Sequence, residues 1–271
     1  MRGVAALALG AVAFLGGGVA TACSAPAPAP AAPDASPGRS AVAVRSVRVV
    51  GAYPHDREAF TQGLLFHGGT LYESLGREGR SAVREVEVAT GRVLREARLP
   101  GREFGEGLAL VDERLVQLTW RDGVARAWRR ADFAPAGEHR YEGEGWGLAY
   151  DGHRLVQSDG SATLTFRSPA DFAILGTLRV TRDGRPEPFL NELEFVEGAL
   201  YANIWGSDEI VRIDVASGEV SAVWSAAGLL DPVERERTDF LNGIAWNPAT
   251  NRFYITGKLW PLLFEVELPL D

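Results

Sequence analysis

The sequence predicts an all-β protein that folds as a five-bladed β-propeller. Three observations predict this class: one short motif occurs five times, each copy is followed by a turn and a second alternating strand, and helical periodicity is nowhere sustained. The first residues of successive copies are 44, 40, 45 and 51 positions apart. The copies are Gln62–Phe66, Glu106–Leu110, Trp146–Tyr150, Asn191–Phe195 and Asn242–Trp246.

Each motif begins a predicted hairpin, because a short turn and another strand-like run follow it. These second runs are Leu71–Ser74, Leu115–Thr119, Leu155–Ser158, Leu200–Ile204 and Phe253–Thr256. Two further strands complete most units, as Val83–Val88 and Val93–Leu99 do in the first. Four strands in about 40–50 residues is the pattern of a propeller blade, so five repeats predict five blades.

The fifth unit ends one strand short, after Leu262–Leu268. The unassigned run Val42–Val50 is predicted to supply the missing strand, which closes the ring and removes two sheet edges. The propeller, and with it any catalytic site, is therefore expected over residues 42–271. The polar insertion Ser225–Thr238 between the fourth and fifth units is predicted to carry a short helix near one mouth of the ring.

Residues 1–22 have the composition of a secretory signal, because Arg2 precedes the apolar run Val4–Val19 and the segment ends in small residues. A single membrane span is the alternative, which the shortness of the run disfavours. Cys23 stands where lipoprotein signals carry the lipidated cysteine, and an unmodified cysteine is the alternative. Residues 23–41 are rich in Ala, Pro and Ser and are predicted to be a tether. We therefore expect an exported protein, periplasmic or extracellular, with or without a lipid anchor at Cys23.

Charge and cysteine content exclude several functions. Without residues 1–22 the chain has 27 basic and 36 acidic residues, which disfavours nucleic acid as a partner. The single cysteine allows no intrachain disulfide and puts no catalytic thiol in the folded body. A membrane is expected as a partner only through a lipid on Cys23, and a monomer is the expected state.

The repeat phase predicts which side chains meet on the propeller axis, because the first strand of every blade lines the central channel. At the first position of the motif these residues are Gln62, Glu106, Trp146, Asn191 and Asn242. Five residues after the start of each second strand come Gly76, Trp120, Gly160, Trp205 and Lys258. Phe60 and Phe104 lie two residues before Gln62 and Glu106, so all of these positions are expected to form one cup.

Each of these residues also has a purely structural interpretation. Tryptophans commonly pack between blades, which we expect for Trp224 and Trp246, and a lysine at a strand end is often only solvated. Glu106 is harder to explain by structure alone, because a buried carboxylate is costly unless it is paired. The four histidines lie outside the two sets of positions that form this cup and have no ligand spacing, which argues against zinc.

Nine short motifs, in order along residues 50–268, resemble the plant and bacterial type of glutaminyl-peptide cyclotransferase. They are Phe60–Leu64, Phe104–Leu108, Gln117–Trp120, Gly143–Leu148, Ser158–Ser161, Leu190–Glu194, Ala202–Trp205, Leu241–Trp246 and Thr256–Pro261. The resemblance implies a five-bladed propeller that converts N-terminal glutamine of peptides or proteins into pyroglutamate and releases ammonia, with no required cofactor or catalytic metal. By motif position it assigns the site to Phe60, Gln62, Phe104, Glu106, Trp120, Trp146, Asn191, Trp205 and Lys258.

For such a reaction we expect Glu106 to transfer the proton, with Asn191 and Lys258 stabilising charge on the carboxamide oxygen. The aromatic residues Trp120, Trp146 and Trp205 would hold the folded glutaminyl side chain, with Phe60 and Phe104 beside them, and Gln62 would bind the substrate backbone. Two alternatives stay open at this point. One is a metal-dependent, lactonase-like hydrolase, in which Glu106, Asn191 and Asn242 hold a calcium-like ion; such an ion could also be purely structural. The other is a non-catalytic surface propeller that binds peptides or glycans.

Overall fold

The computed structural model describes residues 41–270. The predicted signal over residues 1–22, Cys23 and nearly all of the tether over residues 23–41 lie outside the described residues, so these assignments stay predictions. Among the described residues no helix has the length and apolar character that crossing a membrane requires.

Twenty of the strands in the described part form five four-stranded blades, as the repeat predicts. Blade 1 consists of β3 (Thr61–His67), β4 (Thr70–Leu75), β5 (Ala82–Glu87) and β6 (Arg92–Arg98). Blade 2 consists of β7 (Gly105–Val111), β8 (Arg114–Thr119), β9 (Val124–Arg129) and β10 (Pro135–Arg140). Blade 3 consists of β11 (Leu148–Tyr150), β12 (Leu155–Gln157), β13 (Thr163–Arg167) and β14 (Ile174–Arg179). Blade 4 consists of β17 (Leu190–Val196), β18 (Ala199–Ile204), β19 (Glu209–Asp214) and β20 (Val220–Ser225). Blade 5 consists of β21 (Leu241–Asn247), β22 (Arg252–Gly257), β23 (Leu262–Glu267) and β2 (Arg48–Pro54).

The N-terminal segment closes the ring, but it is two strands and not one. β2 pairs antiparallel with β23 and completes blade 5, while β1 (Val44–Ser46) pairs in parallel with β20 at the edge of blade 4. Between them the Val47 N–H donates to Ser225 O at 3.1 Å, so the chain crosses from one blade to the next at this residue. The predicted run Val42–Val50 therefore divides at Val47, and two neighbouring blades are joined by one segment.

Packing between blades supplies the core. Residues 41–270 contain five clusters of buried apolar side chains, one between each pair of neighbouring blades. The innermost strands are mostly buried, whereas the outermost strands β6, β10 and β14 are mostly exposed with only alternate positions partly covered. This gradient is what radial stacking of sheets around an axis produces.

Close approach of the innermost strands explains the glycine of the repeated motif. A Cβ built on Gly107 in blade 2 would lie 2.4 Å from Leu148 N of blade 3, and one on Gly63 would lie 2.6 Å from Leu108 N of blade 2. Any side chain at these positions would push neighbouring blades apart. The motif glycine is therefore a packing requirement of the ring.

Two short elements lie between blades. A two-stranded hairpin, β15 (Thr181–Arg182) and β16 (Arg185–Pro186), follows blade 3. Helix α1 (Pro232–Arg235) occupies the insertion between blades 4 and 5, where the sequence predicts a helix, and Asp231 caps its N-terminus.

Candidate active site

The polar residues of the motif lie at irregularities in the innermost strands. The strand register shifts between Thr61 and Gly63, between Gly105 and Leu108, between Leu190 and Leu193, and between Leu241 and Ile244. These four intervals contain Gln62, Glu106, Asn191 and Asn242. Bulges re-aim side chains and are common beside active sites. The same backbone irregularity, repeated in four blades, thus turns one polar residue of each innermost strand out of the regular strand pairing.

One cavity of about 330 Å³ collects every residue that the sequence assigns to the site. Its lining is Phe60, Gln62, Phe104, Glu106, Trp120, Trp146, Asn191, Trp205 and Lys258. The four polar residues among them are at most 4% exposed, whereas Trp205 is 42% exposed. The cavity therefore has buried polar groups and an aromatic side open to solvent.

Hydrogen bonds connect three of the buried polar side chains. Gln62 Nε2 donates to Glu106 Oε1 at 3.0 Å, and Asn242 Nδ2 donates to Gln62 Oε1 at 3.1 Å. Asn242 does not line the cavity and instead holds Gln62 from behind. Among the described residues Asn191 Oδ1 is buried without a hydrogen-bond partner, as is Asn242 Oδ1. A buried acceptor without a partner lowers the stability of the fold. Asn191, which lines the cavity, has such an unused acceptor.

Glu144 was not among the residues predicted from the sequence, yet it connects two of the tryptophans. Its Oε2 accepts the Nε1–H of Trp120 at 2.8 Å and that of Trp146 at 3.0 Å. Its Oε1 accepts Arg121 Nε–H at 2.7 Å, and the Arg121 guanidinium lies 3.8 Å from the centre of the Trp120 ring. One carboxylate therefore orients both indoles. Its position two residues before Trp146, between two glycines, is the sequence signal that could have identified it.

The glycines at the mouth make room for the aromatic wall. Gly160 has φ +81° and a Cβ there would lie 2.7 Å from the Trp146 ring. A Cβ on Gly76 would lie 2.8 Å from Gln62 Cγ and still closer to the Phe104 ring. Gly76 and Gly160, which the repeat phase assigned to the cup, are thus needed because site side chains pack against their Cα atoms.

Burial shifts the pKa values of Glu106 and Lys258, the two charged residues of the cavity, in opposite directions. It raises the pKa of Glu106 well above its ordinary value, with Lys258 opposing this rise and Glu144 adding to it. It lowers the pKa of Lys258, with Glu106 and Asp239 opposing this fall. Lys258 Nζ also lies 5.1 Å from the centre of the Phe60 ring. Both groups are therefore poised to exchange protons closer to neutral pH than they would in water.

Histidine and acidic residues in the described part form no group of three that could hold a metal ion. The oxygens that the sequence offers to a calcium-like ion belong to Glu106, Asn191 and Asn242, of which only Glu106 is a carboxylate. The ion stays a prediction of the sequence. Trp224 is fully buried, its Nε1–H donates to Pro269 O, and it packs between blades 4 and 5, as expected for a structural tryptophan.

The glutamine cyclotransferase family model matches residues 19–268 of the chain. The chain belongs to this family. The glutaminyl-peptide cyclotransferase of Arabidopsis thaliana is 40% identical over 233 residues, which are 83% of this chain and 72% of that protein. The crystal structure of Myxococcus xanthus glutaminyl cyclase matches with a TM-score of 0.77 and 41% identity, covering 86% of this chain and 100% of that chain.

Membership of the glutamine cyclotransferase family confirms the resemblance read from the nine motifs, the five-bladed fold and the enzyme class. Of the alternatives left open by the sequence, it favours the cyclotransferase over a hydrolase and over a non-catalytic binding propeller.

Proposed function

We propose that this chain converts the N-terminal glutaminyl residue of peptides or proteins into pyroglutamate and that the nine-residue cavity is its active site. The observation that carries the assignment is the meeting of a buried Glu106, whose pKa is raised, with three tryptophans in one cavity. Intramolecular cyclisation needs a proton carrier and walls that impose a folded substrate shape. The cavity supplies both.

The reaction joins two groups of one residue. The α-amino nitrogen of the substrate attacks the carbon of its own γ-carboxamide, a five-membered lactam forms, and the bond to the amide nitrogen breaks. The proton lost by the attacking amine goes to the departing nitrogen, which leaves as ammonia. No external reactant is consumed.

Glu106 is the proposed proton carrier, because a carboxyl group with a raised pKa accepts a proton from the amine and returns it to the leaving nitrogen near neutral pH. Gln62 fixes the carboxyl group through its hydrogen bond to Oε1. Lys258, buried beside it in the same cavity, stabilises negative charge on the carboxamide oxygen as the tetrahedral intermediate forms. Asn191 contributes its side-chain amide to the same oxygen, and its unpartnered Oδ1 can accept an N–H of the substrate.

Trp120, Trp146 and Trp205 form the walls that hold the glutaminyl side chain close to its attacking shape. Trp146 and Trp205 meet edge to face with ring centres 6.2 Å apart, and Trp120 packs against Phe104 at 5.7 Å. Rigid aromatic walls reduce the conformational freedom that the flexible side chain must lose before attack.

The proposal is tested by mass spectrometry on a peptide that begins with glutamine. Wild-type protein should remove one ammonia per peptide, and Glu106→Gln should lower kcat by about 10²–10⁴-fold because the carrier is lost. The replaced side chain is nearly isosteric and can still accept the hydrogen bond from Gln62, so the thermal midpoint should change little. Glu113→Gln, in the exposed turn of the same blade, is the matched control.

Two results would count against the proposal in different ways. Absence of ammonia loss with wild-type protein would reject the cyclotransferase activity itself. Normal turnover by Glu106→Gln would leave the activity in place and remove Glu106 from proton transfer.

A further inference from the structure

Phe189 lies next to the cavity in a backbone conformation that its side chain disfavours. Its φ is +66°, and its side chain is 48% exposed. In the described part of the chain two other phenylalanines also have positive φ, Phe133 at 59° and Phe172 at 64°, but they are 4% and 2% exposed. Left-handed backbone is unfavourable for bulky residues, and burial of the ring offsets this for Phe133 and Phe172. For Phe189 the fold alone provides much less compensation.

Hydrogen bonds hold the backbone of Phe189 between two residues of the site. Its N–H donates to Gly160 O at 2.7 Å, and its carbonyl oxygen accepts the Trp205 N–H at 2.8 Å. Gly160 is the residue that leaves room for Trp146, and Trp205 is part of the cavity wall. The position of the Phe189 ring is therefore tied to the geometry of the cavity mouth.

Three rings continue the cavity wall outward. Trp205 lies between Phe189, whose ring centre is 6.0 Å away, and Phe240, whose ring centre is 5.4 Å away. We call these three residues the aromatic ridge. Trp205 also touches Trp146 inside the cavity, so the ridge and the reaction site share one side chain. On the side of blades 1 and 2, two guanidinium groups lie over cavity rings instead. Arg77 Cζ is 5.2 Å from the centre of the Phe60 ring, and the Arg121 guanidinium lies over the Trp120 ring.

We propose that the aromatic ridge binds the side chain of the second residue of the peptide and selects large apolar or aromatic side chains there. This inference rests on the proposed function. With the reacting groups of the first residue beside Glu106 and Lys258, the peptide continues from its first carbonyl toward the open, aromatic side of the cavity. Trp205 is the half-exposed wall on that path, and Phe189 and Phe240 are its outer neighbours. The ridge keeps apolar surface exposed until a substrate side chain covers it.

The preference should be measurable with two peptides that differ only at the second residue, Gln-Phe and Gln-Gly. Wild-type protein should process Gln-Phe with kcat/KM about tenfold above that for Gln-Gly, mostly through KM, because covering half a phenylalanine contributes equally to substrate and transition state. Phe189→Gly suits the positive φ and should reduce this ratio about fivefold, while Gln-Gly turnover stays near the wild-type value.

Phe189→Tyr keeps the ring and should retain the preference, which makes it the matched control. Thermal midpoints of both variants check that the fold is retained. If wild-type protein shows no preference between the peptides, or if Phe189→Gly lowers turnover of both peptides equally, the subsite is wrong. If neither peptide loses ammonia with wild-type protein, the proposed function fails instead.

Discussion

Removal of the Glu144 carboxylate should slow the reaction by displacing Trp120 and Trp146, although Glu144 itself does not line the cavity. Glu144→Ala deletes the acceptor shared by the indole N–H groups of Trp120 and Trp146. Because the Glu144 side chain is 34% exposed, water can replace part of what is lost, and each bond is worth about 0.5–1.5 kcal/mol rather than the larger value of a buried charged bond. Two bonds give about 1–3 kcal/mol, which corresponds to roughly 5- to 160-fold in kcat/KM.

The assay is steady-state ammonia release from a glutaminyl peptide, with kcat and KM determined separately. Glu144→Ala should lower kcat as well as raise KM, because misplaced tryptophans disturb the attacking shape and not only binding. Glu142→Ala, which removes an exposed carboxylate two residues earlier, is the control, and Glu144→Gln should recover part of the loss because its amide oxygen can still accept an indole N–H. A kcat/KM for Glu144→Ala within twofold of wild type, at unchanged thermal midpoint, would refute this positioning role.

Two further predictions concern the support of the site. His55 and Glu73 form a buried pair at 3.0 Å, and the other ring nitrogen of His55 is 2.7 Å from Trp260 O. Burial alone would lower the pKa of His55, but the charge and hydrogen bond of Glu73 outweigh it and the net shift is upward. The pair should therefore stabilise the fold fully below the unfolded histidine pKa of about 6.5 and lose this contribution as pH rises through the raised folded pKa. Urea unfolding across pH should show that loss in wild type and in a His153→Gln control but not in His55→Gln; the same alkaline loss in His55→Gln would contradict the assignment. Gly160→Ala should lower both stability, by about 1–3 kcal/mol, and activity, because its φ is +81° and its Cβ would meet the Trp146 ring. Gly152 has φ +91° and nothing lies within 4 Å of an added Cβ, so Gly152→Ala should lose stability but keep activity. Equal activities of the two variants would show that Gly160 is not needed to make room for Trp146.

Most of the fold and of the site that can be predicted from the sequence is predicted from the repeated motif. Spacing between copies fixes the number of blades, and the position within a copy fixes which residues face the axis, so Gln62 and Lys258 can be assigned to one cavity although they are far apart in the chain. The phase argument works because the innermost strands are related by rotation about one axis. It needs no knowledge of side-chain contacts.

Contacts and backbone conformations that differ from one repeat to the next could not be predicted in this way. Glu144 lies two residues before Trp146 and ahead of the short strand β11, and this position signals a site residue but does not reveal that two indoles donate to it. Phe189 takes a left-handed backbone that sequence patterns associate with glycine or asparagine. The division of the N-terminal segment at Val47 depends on the edges of two blades, which a single alternating run does not distinguish. In each case the missing information lies in contacts or backbone angles that the repeat phase does not specify.

Ring closure by β2 also has a kinetic consequence. β2 (Arg48–Pro54) pairs with β23 (Leu262–Glu267), the last strand in the described part of the chain, and the Tyr53 hydroxyl donates to Glu265 Oε2 across 212 residues of sequence. Contacts of this separation form late, since the entropy lost in bringing two such distant segments together precedes any gain from pairing. Until β23 is available, β2 and the open side of blade 5 present unpaired backbone groups that can pair with other chains. The rate at which β2 and β23 pair should therefore affect how much of the newly made chain reaches the closed ring.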